Sequence, residues 1–297
     1  MRKSIVAAAT ALTVVAAGVV AGVAVTARSA TAALSDVPAD CSVFTAAYRS
    51  DGQRLTYEYS AGRTSTKAYT NDRLPWVPSA FQQLGGAGSD TSFRTTEFAA
   101  HPTSGWLFKV SRQGQLNSDG AWTVVASSAT QLVNDFGSTR ILAYGYPYLY
   151  RVSGSSLYRY TVGATDGVPR SRVRLAGSAW DTLNTFTYER TEGTGDAAVD
   201  VLIGTKANGE LKEWRIKRTT PTSAISSTVL KPAYWAKFSS LSTGYCQDHP
   251  GGRPLLGITT AGAASVHFDA NQKDRSGADI KGGSLGSLGW TAKAYGQ

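Results

Sequence analysis

Cysteine, histidine and methionine are scarce in this chain of 297 residues, at two, three and one respectively. The histidines, His101, His249 and His267, stand too far apart for the close His pairs that hold a zinc ion. Cys41 and Cys246 have no histidine or second cysteine at ligand spacing, so a disulfide is their expected use. That bridge would close a loop of about 205 residues, which the chain-entropy model values at roughly 5 kcal/mol. The formal charge of +9 contains no run of five basic residues, and this sets a nucleic-acid groove aside in favour of a solvated basic surface. Beyond residue 32 no apolar run is long enough to cross a bilayer, and no long segment carries a helical apolar period.

What is present begins with a leader. Met1-Arg2-Lys3 is a positive start, Ile5 to Val25 is almost entirely apolar, and Ala30-Thr31-Ala32 is a small-x-small cleavage site. Residues 1–32 are therefore expected to be a signal peptide and residues 33–297 a single secreted domain, with no membrane contact after cleavage. An uncleaved anchor is the alternative.

The rest reads as all-β. Short Val, Thr, Tyr and Leu runs alternate with glycine turns, and one hairpin is written five times: Val43–Tyr59, Leu107–Leu116, Leu149–Val162, Val201–Ile216 and Leu255–Asp269. Their turns fall at Asp51-Gly52, Gly114, Gly154, Asn208-Gly209 and Gly262. An anchor of apolar residues three apart precedes four of them: Pro78/Phe81/Leu84, Thr130/Val133/Phe136, Trp180/Leu183/Phe186 and Trp235/Phe238/Leu241. Trp290 opens a fifth anchor at the C-terminus without a hairpin of its own, and Val43–Tyr59 is a hairpin without an anchor. Five units, the last completed by the first, describe a five-bladed β-propeller whose N- and C-terminal strands share one blade. A β-sandwich with coincidental spacing is the alternative.

The best-preserved copy, Leu175-Ala176-Gly177-Ser178-Ala179-Trp180 followed by an apolar strand and the Asn208-Gly209-Glu210-Leu211 turn, resembles the Gly-Ser-Gly-Trp repeat of tachylectin-like propellers. It equally resembles the FG-GAP (VCBS) propeller repeat of exported bacterial proteins. The first resemblance implies binding of N-acetylated sugars between blades, with Trp180, Trp235 and Trp290 as candidate stacking residues; the alternative for the same tryptophans is blade-to-blade core. The second implies a calcium loop, for which Glu192, Thr194, Asp196, the Ala198 carbonyl and Asp200 are the candidate ligands. An acidic solvated loop without metal is the alternative there.

Catalytic readings are thin. Gly282-Gly283-Ser284-Leu285-Gly286 has the Gly-x-Ser-x-Gly spacing, yet no acid or histidine follows it, so it is no nucleophile elbow. A glycosidase needs two carboxylates across a cavity, and of the acids near the repeated strands, Asp51, Asp135, Asp181 and Glu213, no two are placed so by the sequence. The expectation is a secreted, monomeric, non-enzymatic, lectin-like protein that binds an extracellular or cell-wall glycan. A propeller scaffold for an extracellular protein and a degenerate glycoside hydrolase stand as alternatives.

Overall fold

A computed structural model describes residues 33–223, 225–290 and 292–296; the leader and its cleavage site lie outside the described residues. The architecture is all-β, with five antiparallel sheets arranged as the blades of a propeller.

In chain order, β1 (Cys41–Arg49), β2 (Arg54–Ser60) and β3 (Arg63–Lys67) begin a closing blade. The first blade follows as β4 (Ala80–Gly88), β5 (Ser92–Ala100), β6 (Trp106–Leu116) and β7 (Trp122–Asn134). The second blade is β8 (Thr139–Gly145), β9 (Tyr148–Ser153), β10 (Ser156–Val162) and β11 (Pro169–Arg174). The third is β12 (Thr187–Glu192), β13 (Val199–Thr205), β14 (Leu211–Lys217) and β15 (Ile225–Lys231). The fourth is β16 (Phe238–Thr243), β18 (Arg253–Thr259), β19 (Ala263–Asp269) and β20 (Lys281–Ser287); the two-residue β17 (Tyr245–Cys246), in the connection from β16 to β18, pairs with β1 of the closing blade. The last strand, β21 (Ala292–Gly296), returns to the closing blade. The strands β21, β4, β8, β12 and β16 contact one another in a ring around the central channel.

Closure depends on β1. One of its edges pairs along its length with β2. The other edge is divided: Cys41 and Ser42 face β17, whereas Ala46 to Arg49 face β21. The Cys41–Cys246 disulfide is formed, so the strand that completes the ring is also covalently tied to the fourth blade. The shared blade leaves no strand edge open at the junction, which is the usual hazard of an array of short sheets.

The repeat has a physical basis in the turn between the second and third strands of each blade. Gly52, Gly105, Gly154, Gly209 and Gly262 all occupy positive φ, between 55° and 98°, which side chains with a Cβ rarely adopt. Four of these glycines then accept a backbone hydrogen bond from the segment entering the next blade: Gly52 from Leu74, Gly105 from Phe136, Gly209 from Trp235 and Gly262 from Leu288. One turn thus folds its own hairpin and positions the next blade.

The first blade departs from the sequence expectation. Leu107–Leu116 is a single strand within β6 and not a hairpin; the hairpin is β5–β6, and its turn glycine is Gly105 in place of Gly114. Gly114 lies within β6 and is covered by the ring of Phe93, so closely that an added Cβ would come within 2.1 Å of that ring. The anchor at Thr130/Val133/Phe136 is also displaced. Thr130 and Val133 belong to the long outer strand β7, and only Phe136 is fully buried, with Val133 packed partly against the same cluster.

Five apolar clusters fill the five inter-blade seams, and the anchors are their wedges. Trp180 sits between the second and third blades with Leu202 and Trp214, Trp235 between the third and fourth with Ile203 and Leu255, and Trp290 between the fourth and the closing blade with Val43 and Val266. Phe136 plays this part between the first and second blades, and Leu74 between the closing and first blades.

In the fourth blade His267 packs against Trp235, ring centroids 4.9 Å apart, and burial together with Lys237 and Lys231 lowers its pKa to about 4. Below pH 6.5 the unfolded chain takes up a proton that the folded chain refuses, so this histidine costs stability as pH falls from 6.5 through 4. The expected loss is at most about 3 kcal/mol. Urea unfolding at pH 7 and pH 4 should show this slope, and His267→Gln should flatten it.

Candidate functional site

The blades are unequal. Strands of the second, third and fourth blades span six or seven residues, β17 aside, whereas those of the first blade span 9, 9, 11 and 13. The surplus lies at one face: the end of β4 at Gly85–Gly88, the start of β5, the end of β6 and the start of β7. Ser89 turns the β4–β5 tip by accepting hydrogen bonds on its hydroxyl from the backbone N–H groups of Thr91 and Ser92. The overgrown blade stands as a wall beside the mouth of the central channel.

Two cavities lie against this wall. A funnel of about 750 Å³ opens over the channel, and a pocket of about 340 Å³ lies between the closing and first blades. They share Phe44, Gln83, Phe93 and Thr95. Deeper in, the channel narrows to a cavity of about 40 Å³ among the five inner strands.

The 340 Å³ pocket is built from three aromatic rings. Tyr69 and Phe93 are 4.9 Å apart, Phe93 and Trp122 5.5 Å, and Tyr69 and Trp122 6.3 Å between centroids. All three are partly buried, so the cluster keeps some surface exposed to the pocket. The loop after β3 is held beside β7 by the Val124 N–H, which donates to the Thr70 carbonyl, and Gly114 leaves room for the Phe93 ring to lie flat. Burial raises the Tyr69 hydroxyl above its ordinary pKa, so it enters the pocket as a neutral donor and acceptor at pH 7.

Polar groups stand around this cluster. Arg54, 4% exposed, donates from Nε to Glu97 at 3.1 Å and from Nη2 to Gln83 at 2.8 Å, so its guanidinium is fixed within the pocket lining. Glu58 on β2 and Lys67 on β3 line the same pocket, and neither makes an ion pair among the described residues. A fixed donor, a free acceptor and a free cation beside an apolar surface suit a ligand with one hydrophobic face and a polar perimeter.

Behind the pocket lies a buried ion network. Glu97 accepts from the Tyr48 hydroxyl, from Arg54 and from Arg112 Nη2 at 3.0 Å, and Arg112 Nε reaches Asp72 at 2.5 Å. Burial by itself would raise the pKa of Glu97, but Arg112 and Arg54 hold it below the usual carboxylate value. A related device joins the second and third blades, where Tyr150 donates to Asp200 at 2.6 Å and Arg218 pairs with the same carboxylate at 2.7 Å.

The residues singled out from sequence lie elsewhere. Trp180, Trp235 and Trp290 are 5%, 6% and 7% exposed and serve as inter-blade wedges; Trp180 borders a separate cavity of about 260 Å³ with Lys206 and Lys212. Glu192, Thr194, Asp196, Ala198 and Asp200 do not converge. Both oxygens of Glu192 are taken by Arg190 and Arg215, and those of Asp200 by Tyr150, Thr191 and Arg218. Asp196 is exposed and Ala198 buried, and among the described residues no three His, Cys, Asp or Glu side chains gather as a metal site. This donor set does not fit calcium, since neutralised carboxylates have little left for a cation that needs six to eight oxygens. EDTA is expected to leave the melting temperature within about 1 °C of the untreated protein; a drop of several degrees would restore the calcium reading.

Two carboxylates line the funnel and the pocket, Glu189 and Glu58, and Glu189 is engaged by Arg190 and Arg253. Asp51, Asp135 and Glu213 pair with or lie beside arginines away from both cavities, and Asp181 is exposed.

No protein-family model matches the chain, and a comparison with curated proteins finds no match. Among solved structures, it is similar to a luciferin-regenerating enzyme at 10% identity and a TM-score of 0.38, over 88% of this chain and 97% of that one. It is also similar to the six-bladed fucose-recognising lectin of Aleuria aurantia at 11% identity and a TM-score of 0.37, over 85% and 78% of the two chains. A third is AofleA from Arthrobotrys oligospora, at 9% identity and a TM-score of 0.39, over 83% and 87%.

Tyr69, Phe93 and Trp122 escaped the sequence reading because they belong to the part of the chain that breaks the repeat. Their signal was there in negative form: Trp122 occupies no anchor position, and Gly85-Gly86-Ala87-Gly88 has no counterpart in the other blades.

Proposed function

We propose that this protein is a secreted, lectin-like glycan-binding propeller whose binding site is the pocket beside the first blade. The observation that carries the reading is the Tyr69–Phe93–Trp122 cluster with Arg54, Glu58 and Lys67 around it. A pyranose ring has an apolar C–H face and an equatorial belt of hydroxyls, so it matches an aromatic surface bordered by a donor, an acceptor and a cation. The Cys41–Cys246 bridge supports an oxidising compartment, and no described helix is long and apolar enough to cross a membrane. The tachylectin-like Leu175–Trp180 motif makes N-acetylated sugars the first candidates.

The site is a single composite one, not five equivalent pockets, because only in the first blade do all four strands reach nine residues or more. A glycan array probed with the purified protein tests the reading. A positive signal is expected to weaken tenfold to a hundredfold with Trp122→Ala, about 1.4–2.8 kcal/mol of binding energy. Trp180→Phe should leave affinity within about twofold, since that ring is an inter-blade wedge. Equal binding by Trp122→Ala and the unaltered protein would refute the site.

A further inference from the structure

The pocket adjoins the funnel. The four residues it shares with the funnel, Phe44, Gln83, Phe93 and Thr95, line both cavities, so the two adjoin as a two-chambered trough from the seam between blades to the channel mouth. The funnel end has its own aromatic surface: Tyr144 and Tyr188 are partly buried in its wall, and Tyr245 stands 69% exposed at its rim.

Both ends use the same construction. The Phe93 ring covers Gly114, and the Tyr188 ring covers Gly145, where an added Cβ would come within 2.2 Å of the ring. Neither glycine has the positive φ that would explain it as a turn residue. Each leaves space on a strand for an aromatic ring to lie down, and so gives the trough a fixed aromatic surface at either end. Tyr188 is further fixed by a 2.7 Å hydrogen bond between its hydroxyl and Thr191.

Resting on the glycan-binding reading above, we propose that the ligand is an extended chain of sugars, with one subsite on the Tyr69–Phe93–Trp122 cluster and another in the funnel beside Tyr188 and Tyr245. The exposed segment Gly85–Gly88 lines the funnel and presents backbone with no side chain larger than the Ala87 methyl, so a chain can run along the wall of the first blade. A protein built for one terminal sugar has no use for a second, separately seated aromatic surface.

Calorimetry with two size-graded series, chitin oligosaccharides and cellulose oligosaccharides of one to six units, tests the proposal on the intact protein. Affinity in one series should rise at least tenfold between the monosaccharide and the tetrasaccharide, and Tyr245→Ala should reduce that ratio to threefold or less. Tyr245 is exposed, so its replacement should leave the fold intact; Gly145→Ala, which displaces the Tyr188 ring, should reduce the ratio in the same direction. Equal affinity for one and six units would overturn the extended-chain proposal while the pocket reading stands. Absence of binding throughout both series also overturns it, and takes the pocket reading with it when a glycan array is equally blank.

Discussion

Replacing Glu97 with alanine should cost about 3–5 kcal/mol of stability, the range for breaking a buried ion pair by deleting one partner. Glu97 is 1% exposed and gathers Arg54, Arg112 and the Tyr48 hydroxyl from two adjoining blades. Without it, Arg112 keeps Asp72, but Arg54 keeps only Gln83 as a hydrogen-bond partner, and two buried cations are left to share the one carboxylate of Asp72. Desolvating a charge that has lost its counter-ion is what makes the deletion costly, far more than the hydrogen bonds themselves. At roughly 2–4 °C per kcal/mol for a domain of this size, the melting temperature should fall by about 10 °C. Glu97→Gln, which keeps the shape and part of the hydrogen bonding, should fall between the two. Because Arg54 also lines the pocket, Glu97→Gln should weaken glycan binding as well, at a temperature where the variant is fully folded. A loss below about 1 kcal/mol for Glu97→Ala would show that the network is solvated and contributes little.

Opening the disulfide should have an effect of similar size. Cys41 and Cys246 are separated by 205 residues, and a bridge over so long a loop restricts the unfolded chain by roughly 5 kcal/mol in the entropy model, against 2–5 kcal/mol commonly lost when a native disulfide is removed. Its position adds to the consequence. β1 holds the C-terminal strand β21 through four residue pairs, Ala46–Gly296 to Arg49–Ala292, and holds β17 through only two. The double variant Cys41→Ser/Cys246→Ser keeps the β21 closure but leaves the contact with the fourth blade to those two pairs, the Thr45–Ser240 hydrogen bond, the bonds of Asp40 to Asp248 and His249, and the apolar seam. Thermal unfolding should shift down by about 10 °C, and dithiothreitol should shift the unaltered protein alike while leaving the double variant unmoved. An unaltered protein insensitive to the reductant, with its thiols shown to be free, would mean that ring closure rests on strand pairing alone.

What could be read from sequence was whatever the five blades have in common. The turn glycines at 52, 154, 209 and 262, the anchors Trp180, Trp235 and Trp290, and the orphan hairpin Val43–Tyr59 all reflect one repeated physical need, a left-handed turn residue and a wedge for each seam. That need recurs about every 50 residues, so periodicity alone exposes the fold and its shared blade. The candidate site is the opposite case. It exists because the first blade departs from the pattern: β7 overgrows to 13 residues and absorbs Thr130 and Val133, and Gly114 serves to seat Phe93 and not to make a turn. A glycine under a ring and a glycine in a turn look the same in one dimension, since what separates them is φ and a partner 21 residues away. Arginines likewise hide what an acidic loop does. Glu192 and Asp200 look like free ligands until Arg190, Arg215 and Arg218 arrive from neighbouring positions on the same blade to neutralise them.

The most direct test of the binding site is a crystal structure of the protein with the oligosaccharide that binds it best. Sugar density is expected against Tyr69, Phe93 and Trp122, with a hydroxyl or acetamido group near Arg54 or Glu58 and the chain directed toward Tyr188. Density at Trp180 and Lys212, or at the opposite face of the propeller, would contradict the site on which the function is built.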